Sequence, residues 1–123
     1  MGVEPYRVSK RGVQIAFRLG DGEDPDSIDN VDAAIEMPDG SRWGATMLTV
    51  REVERILARH SSSGESAGGL YLRVPDLILM SAPGVERMVV AILDVVEKDQ
   101  QYRLTPLDAA EIVEDDADAG AGD

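Results

Sequence analysis

Apolar and polar residues alternate along most of the first half of the chain. Val13, Ile15, Phe17 and Leu19 are interleaved with Gln14, Ala16 and Arg18, a period of two that predicts a half-buried strand. Gly20 ends it, and the following Asp21–Asn30 stretch is too polar and breaker-rich for a regular element. Alternation resumes at Val31, Ala33, Ile35 and Met37, stops at Pro38-Asp39-Gly40-Ser41, and returns at Trp43, Ala45 and Met47. Proline presets φ in a turn and glycine tolerates positive φ, so the reading is a β-hairpin of Val31–Met37 and Arg42–Leu48. Trp43 shares the parity of the core-facing residues.

The period then changes. Val50, Val53, Ile56 and Leu57 recur at helical spacing, with Arg51, Glu52, Glu54, Arg55 and Arg59 on the other face. Thr49 and Glu52 have the spacing of a capping box at the start. This helix is expected to stop near His60, before the nine-residue small and flexible loop Ser61–Gly69. Leu70, Leu72 and Val74 alternate again. Pro75 and Asp76 suggest a turn or bulge, and Leu77-Ile78-Leu79-Met80 reads as a central strand buried on both faces. Ser81 is the expected N-cap of a second helix over Ala82–Lys98, with Val85, Met88, Val89, Ile92, Val95 and Val96 as its wide apolar face. Tyr102 and Leu104 allow a short last strand before Pro106. Met1–Lys10 reads as a loose arm. Residues 107–123 form an acidic tail, with a weak helical turn at Leu107–Val113 and expected disorder from Glu114 onward.

The order β-β-β-α-β-β-α-β predicts an α+β domain over residues 1–106. Its mixed or antiparallel sheet would carry two helices on one face, the simplest way to bury two amphipathic helices. The other sheet face would carry Gln14, Arg18, Asp32, Glu36, Arg42, Thr46 and Arg73.

Charge alters this picture through its distribution. The net charge is −12, from 24 acids and 12 bases. Seven acids and no base lie in Leu107–Asp123, five acids and no base in Asp21–Asn30, and the other twelve acids equal the bases in number. The folded body is therefore nearly neutral. The acidic excess serves solubility or, on the sharper reading, meets a basic partner. No basic stripe exists to neutralise phosphates, which disfavours nucleic acid as that partner. There is no cysteine, which excludes a disulfide framework, thiol catalysis and cysteine-ligated zinc. Met1–Arg7 lacks the apolar core of a signal peptide, and no apolar run approaches the length of a membrane span. A cytoplasmic protein away from membranes is the expectation.

No catalytic set emerges. A calcium loop starting at Asp21 would have Pro25 at its fifth position and Asp26 where glycine is needed, so no metal site is assigned. His60, the single histidine, reads as a partner of a helix C-terminus. Asp76 would be a general acid or base if buried and is otherwise a turn aspartate bonded to local amides. The serines near His60 lack a Gly-x-Ser-x-Gly elbow. Gly64-x-x-x-Gly68-Gly69 lacks the Lys-Ser/Thr of a phosphate loop. No cofactor is assigned.

The stretch Pro38-Asp39-Gly40-Ser41-Arg42-Trp43-Gly44-Ala45-Thr46-Met47-Leu48-Thr49, with Glu52, Gly64-Glu65, Gly69-Leu70-Tyr71 and Asp76-Leu77-Ile78, resembles a group of small bacterial proteins sharing this hairpin. The likeness spans Val31 to Glu97. That group has no assigned activity, so the resemblance carries over no site residue. In size and acidity the chain is also similar to immunity proteins of bacterial toxin systems, which would imply an inhibitory protein partner.

These features favour a non-enzymatic partner-binding protein, an immunity-type inhibitor or an accessory subunit. The candidate partner-binding residues are Asp21, Glu23, Asp24, Asp26 and Asp29 of the acidic loop, Arg51 and Arg55 of the first helix, and Trp43. The alternative is a small-molecule-binding or enzymatic accessory domain with a pocket near residues 60–76, using His60, Tyr71 and Asp76. Self-association through an open sheet edge is a third reading.

Overall fold

The computed structural model describes residues 5–107. The chain forms a six-stranded sheet in the order β1-β2-β3-β4-β5, with β6 also paired to β4. The strands are β1 (Tyr6–Lys10), β2 (Val13–Phe17), β3 (Asn30–Glu36), β4 (Arg42–Thr49), β5 (Leu77–Met80) and β6 (Thr105–Leu107). Pairing is antiparallel except between β4 and β5. That parallel step needs a crossover, supplied by helix α1 (Val50–Ser63) and the short turn α2 (Glu65–Gly69). Helix α3 (Val85–Glu97) follows β5.

The alternation in β2, β3 and β4 does what its period requires. Val13, Ile15, Phe17, Val31, Ala33, Ile35, Ala45 and Met47 enter one core, and Gln14, Asp32, Glu36, Arg42 and Thr46 occupy the other parity. The β3–β4 hairpin closes Glu36 against Arg42, and Gly40 takes φ +89° in its turn. The core is closed by α3, through Val85, Met88, Val89, Ile92 and Leu93.

Several elements differ from the sequence-based expectation. Residues 6–10, expected as an arm, form β1 against β2, and only Val8 of that strand packs against the core. Helix α1 runs three residues beyond His60, to a left-handed cap at Gly64, and none of its side chains is buried. The expected pair of core helices is therefore one core helix and one peripheral crossover helix. Leu70–Val74 is not a strand, because no neighbouring strand pairs with it. Within the described residues β5 is an edge strand, and Leu79 is 56% exposed. The cap of α3 is Gly84, not Ser81: at φ 107°, ψ 141° its backbone is non-helical, and its N–H donates to Ile28 O at 3.0 Å. Leu107, read as the first tail residue, belongs to β6, and Pro106 pairs with Trp43. The expected disorder and helical turn beyond it lie outside the described residues.

Candidate functional site

The acidic segment between β2 and β3 is a docked junction, not a free solvated loop. Ile28 inserts into the core. Pro25 O accepts from Val85 N at 2.8 Å, and Asp29 O accepts from Thr49 N at 3.0 Å. The segment thus holds the starts of both α3 and α1. Within it, Glu23 accepts from the Gly20 amide and Asp24 accepts from the Asp26 amide. Asp21 and Asp26 are exposed to solvent.

Asp29 is the centre of a charged cluster. Thr49 Oγ1 donates to it at 2.8 Å, Arg51 Nη2 at 3.1 Å, and Arg55 Nη2 approaches at 3.4 Å. Arg55 also donates to Glu52 at 2.6 Å, and Asn30 donates to the other Glu52 oxygen at 3.3 Å. Thr49 is the N-cap of α1, accepting from Glu52 N at 3.0 Å. The capping half of the box is thus present, while the Glu52 carboxylate serves Arg55 and Asn30. Five residues named from sequence or beside those so named, Asp29, Thr49, Arg51, Glu52 and Arg55, form one network that fixes the acidic loop to α1.

Burial acts to raise the Asp29 carboxyl. The Thr49 hydrogen bond, then the Arg51 hydrogen bond and the charges of Arg51 and Arg55, outweigh it, so the pKa lies below the ordinary aspartate value. A carboxylate with a lower pKa folded than unfolded adds stability above the unfolded value and loses it as pH falls through the folded one. The contribution of this corner is therefore complete above about pH 5 and declines below about pH 4. The stability difference between the native chain and Asp29→Asn, followed by thermal melts, should be constant at neutral pH and shrink on acidification through that window. Thr49 is itself buried. Thr49→Ala removes a cap and one Asp29 partner together, and should lower stability by about 1–3 kcal/mol in urea unfolding.

The other sequence-derived residues are not gathered into one site. His60 sits at the α1–α2 corner, with Nδ1 3.0 Å from Ser66 Oγ and Nε2 3.1 Å from Glu65 Oε1. Asp76 clips three strands together. Its carboxylate accepts from Thr46 of β4 and Thr105 of β6, each at 2.9 Å, just before β5 begins. Tyr71 is half exposed on the segment between α2 and β5. One cleft lies between β1 and α3 and another on the open sheet face around Ala16 and Ala34. Neither takes a lining residue from positions 60–76. Trp43 lies at the far end of β4 from Thr49. It packs against the core opposite Ile35, with its ring N–H directed to Ser41 Oγ at 3.2 Å. It is separate from the acidic loop.

The feature that sequence reasoning missed is apolar. Of the seven large exposed apolar side chains among the described residues, four belong to the crossover unit from α1 to β5: Val50, Leu70, Tyr71 and Leu79, with Leu70 81% exposed. The doubled glycine before Leu70 is the one local signal. Gly69 has φ +86°, and a Cβ there would stand 2.3 Å from Leu57 O. The turn α2 therefore presses directly on the α1 backbone and delivers Leu70 and Tyr71 beyond it.

Among the described residues no group of three or more metal-ligating side chains is found, and no helix is long and apolar enough to cross a membrane. Comparison of the chain with protein-family models, with curated proteins and with solved structures returned no match.

Proposed function

We propose that the protein is a cytoplasmic, non-enzymatic partner-binding protein, an immunity-type inhibitor or an accessory subunit, that docks through its acidic loop and crossover unit. The observation that carries this reading is the exposure of Val50, Leu70, Tyr71 and Leu79 on that one unit. Each fully buried Leu or Val contributes about 1.5–3 kcal/mol, so these side chains, left in water on one unit, are what a docking partner would cover. The charged rim fits the same role. Arg51 and Arg55 are held by Asp29 in a fixed arrangement, while Asp21 and Asp26 remain exposed. Complementary charge of this kind steers association and selects partners.

The test is affinity capture from the source cell's lysate with the native chain and with a Leu70→Asp, Leu79→Asp chain. Both positions are exposed, so the fold should survive the change. A partner retained by the native chain and reduced tenfold or more, about 1.4 kcal/mol, by the double variant supports the reading. A partner retained equally by both places binding elsewhere and contradicts it.

A further inference from the structure

The edge of the sheet opposite the crossover unit carries a second, independent surface. Strand β1 is that edge among the described residues. It joins β2 through Arg11 and Gly12, at φ 54° and 78°, the signature of a two-residue hairpin turn. Such a turn makes its flanking pair, here Lys10 and Val13, a hydrogen-bonded pair. Alternation then leaves the N–H and C=O groups of Arg7 and Ser9 pointing outward, away from β2.

On the core side of β1 a groove of about 750 Å³ separates the strand from α3. Tyr6, Val8, Val89, Val90 and Leu93 give it an apolar lining, and Val90 is 69% exposed. Thirteen helical residues span about 20 Å and five strand residues about 17 Å, so helix and strand match in length. Arg11 pairs with Glu97 at the turn end of the groove, which directs the first turn of α3, with Glu86, toward the Tyr6 end. Asp94 is paired with Lys98. Lys10 at one end and Glu86 at the other have no ion-pair partner among the described residues.

This pattern is self-complementary. An antiparallel pairing of two β1 strands about Val8 sets Val8 against its own copy, Arg7 against Ser9, and Tyr6 against Lys10. Each Lys10 then reaches the end of the groove where the other chain holds Glu86. We propose that a second copy of this chain occupies the β1 edge, joining the two sheets across a two-fold axis. About four backbone hydrogen bonds at Arg7 and Ser9 link the strands, the grooves bury Tyr6 and Val90, and two Lys10–Glu86 pairs set the register. Val8 meets its own copy on the axis and every other contact occurs twice, as a closed two-fold interface requires.

Sedimentation equilibrium of the full chain, from micromolar to near-millimolar concentration, tests the proposal. The native chain should sediment as a dimer. Ser9→Pro, which removes an N–H that only the neighbouring copy uses, should give a monomer. Lys10→Glu and Glu86→Lys place like charges together and should each weaken the dimer about tenfold, and the chain carrying both should recover it. The charge pair tests the interface even where the proline variant fails to fold, because both positions are exposed. A native chain that is monomeric throughout overturns the proposal, leaving the groove to an extended segment of another protein. A dimer unmoved by all of these changes overturns it by placing the contact on another face. A chain ending at Leu107 that dimerises where the full chain does not would assign the groove to the tail, and overturns it too.

Discussion

Phe17→Ala should destabilise the protein by about 3–5 kcal/mol, the range for emptying a fully buried phenylalanine site. Phe17 is the one phenylalanine in the chain and is completely buried on β2. Its strand neighbours in register are Tyr6 and Ala33, and the rest of the core is Val, Ile, Leu, Met and Ala. Tyr6 is held in β1 by its pairing with β2, and Trp43 is fixed on β4 opposite Ile35. Domains of this size are stable by about 5–15 kcal/mol, so the substitution removes a large share of the total. Urea unfolding should show a much lower midpoint with an unchanged slope. Trp43→Ala should cost less, since Trp43 is only half buried beside the same core. A Phe17→Ala chain within 1 kcal/mol of the native one, on the scale of an ordinary surface substitution, would show that the core is not closed where the structure closes it.

Gly84→Ala should cost about 2–4 kcal/mol for a different reason. Gly84 combines φ 107° with ψ 141°, a conformation that side chains rarely adopt, and an added Cβ would stand 2.8 Å from Asp26 O. The residue is buried, so neither side can move away freely. Its amide and that of Val85 donate to Ile28 O and Pro25 O, which ties the acidic loop to the start of α3. The strain would fall on the one helix among the described residues that supplies buried side chains to the core. Gly40→Ala is the natural control. Gly40 also has a positive φ, +89°, but a Cβ there meets nothing within 4 Å. That variant should lose only about 1 kcal/mol, the backbone part of the effect. Equal losses at the two sites would mean that the Asp26 contact contributes nothing.

The elements that could be read from sequence are those whose cause is local. Pro38-Asp39-Gly40-Ser41 specifies a turn wherever it stands, and the alternation on either side sets the β3–β4 register. Thr49 caps α1 through a bond to an amide three residues on. The apolar face of α3 is wide enough to demand a core. Where the reading failed, the cause lies elsewhere in the chain. Helix α1 has as clear an amphipathic pattern as α3, but a pattern does not say what covers it, and α3 already closes the sheet. Strand β1 offers only Val8 to the core and is held chiefly by its pairing with β2. Leu70, Leu72 and Val74 have the period of a strand, but the left-handed backbone at Ser66, Ala67 and Gly68 and the turn at Pro75 deny them a neighbour.

The candidate site divides along the same line. Five acids in a row of loop residues looked equivalent. Only Asp29 sits between the buried Ile28 and the start of β3, where it meets Thr49, Arg51 and Arg55. Ile28, an isolated apolar residue in a polar run, was the available clue that the loop is anchored. Asp76 joins Thr46 and Thr105, thirty and twenty-nine residues away, and nothing local announces such a link.

Helix α3 belongs to the core, while α1 and α2 lie at the margin and bury no side chain. Native-state hydrogen exchange of the free protein measures this most directly. Amides of α3 and of the strands beneath it should exchange only through global unfolding, and those of α1 through smaller openings, at least about tenfold faster. Protection of α1 equal to that of α3 would contradict the account, because it would place both helices in one cooperative core.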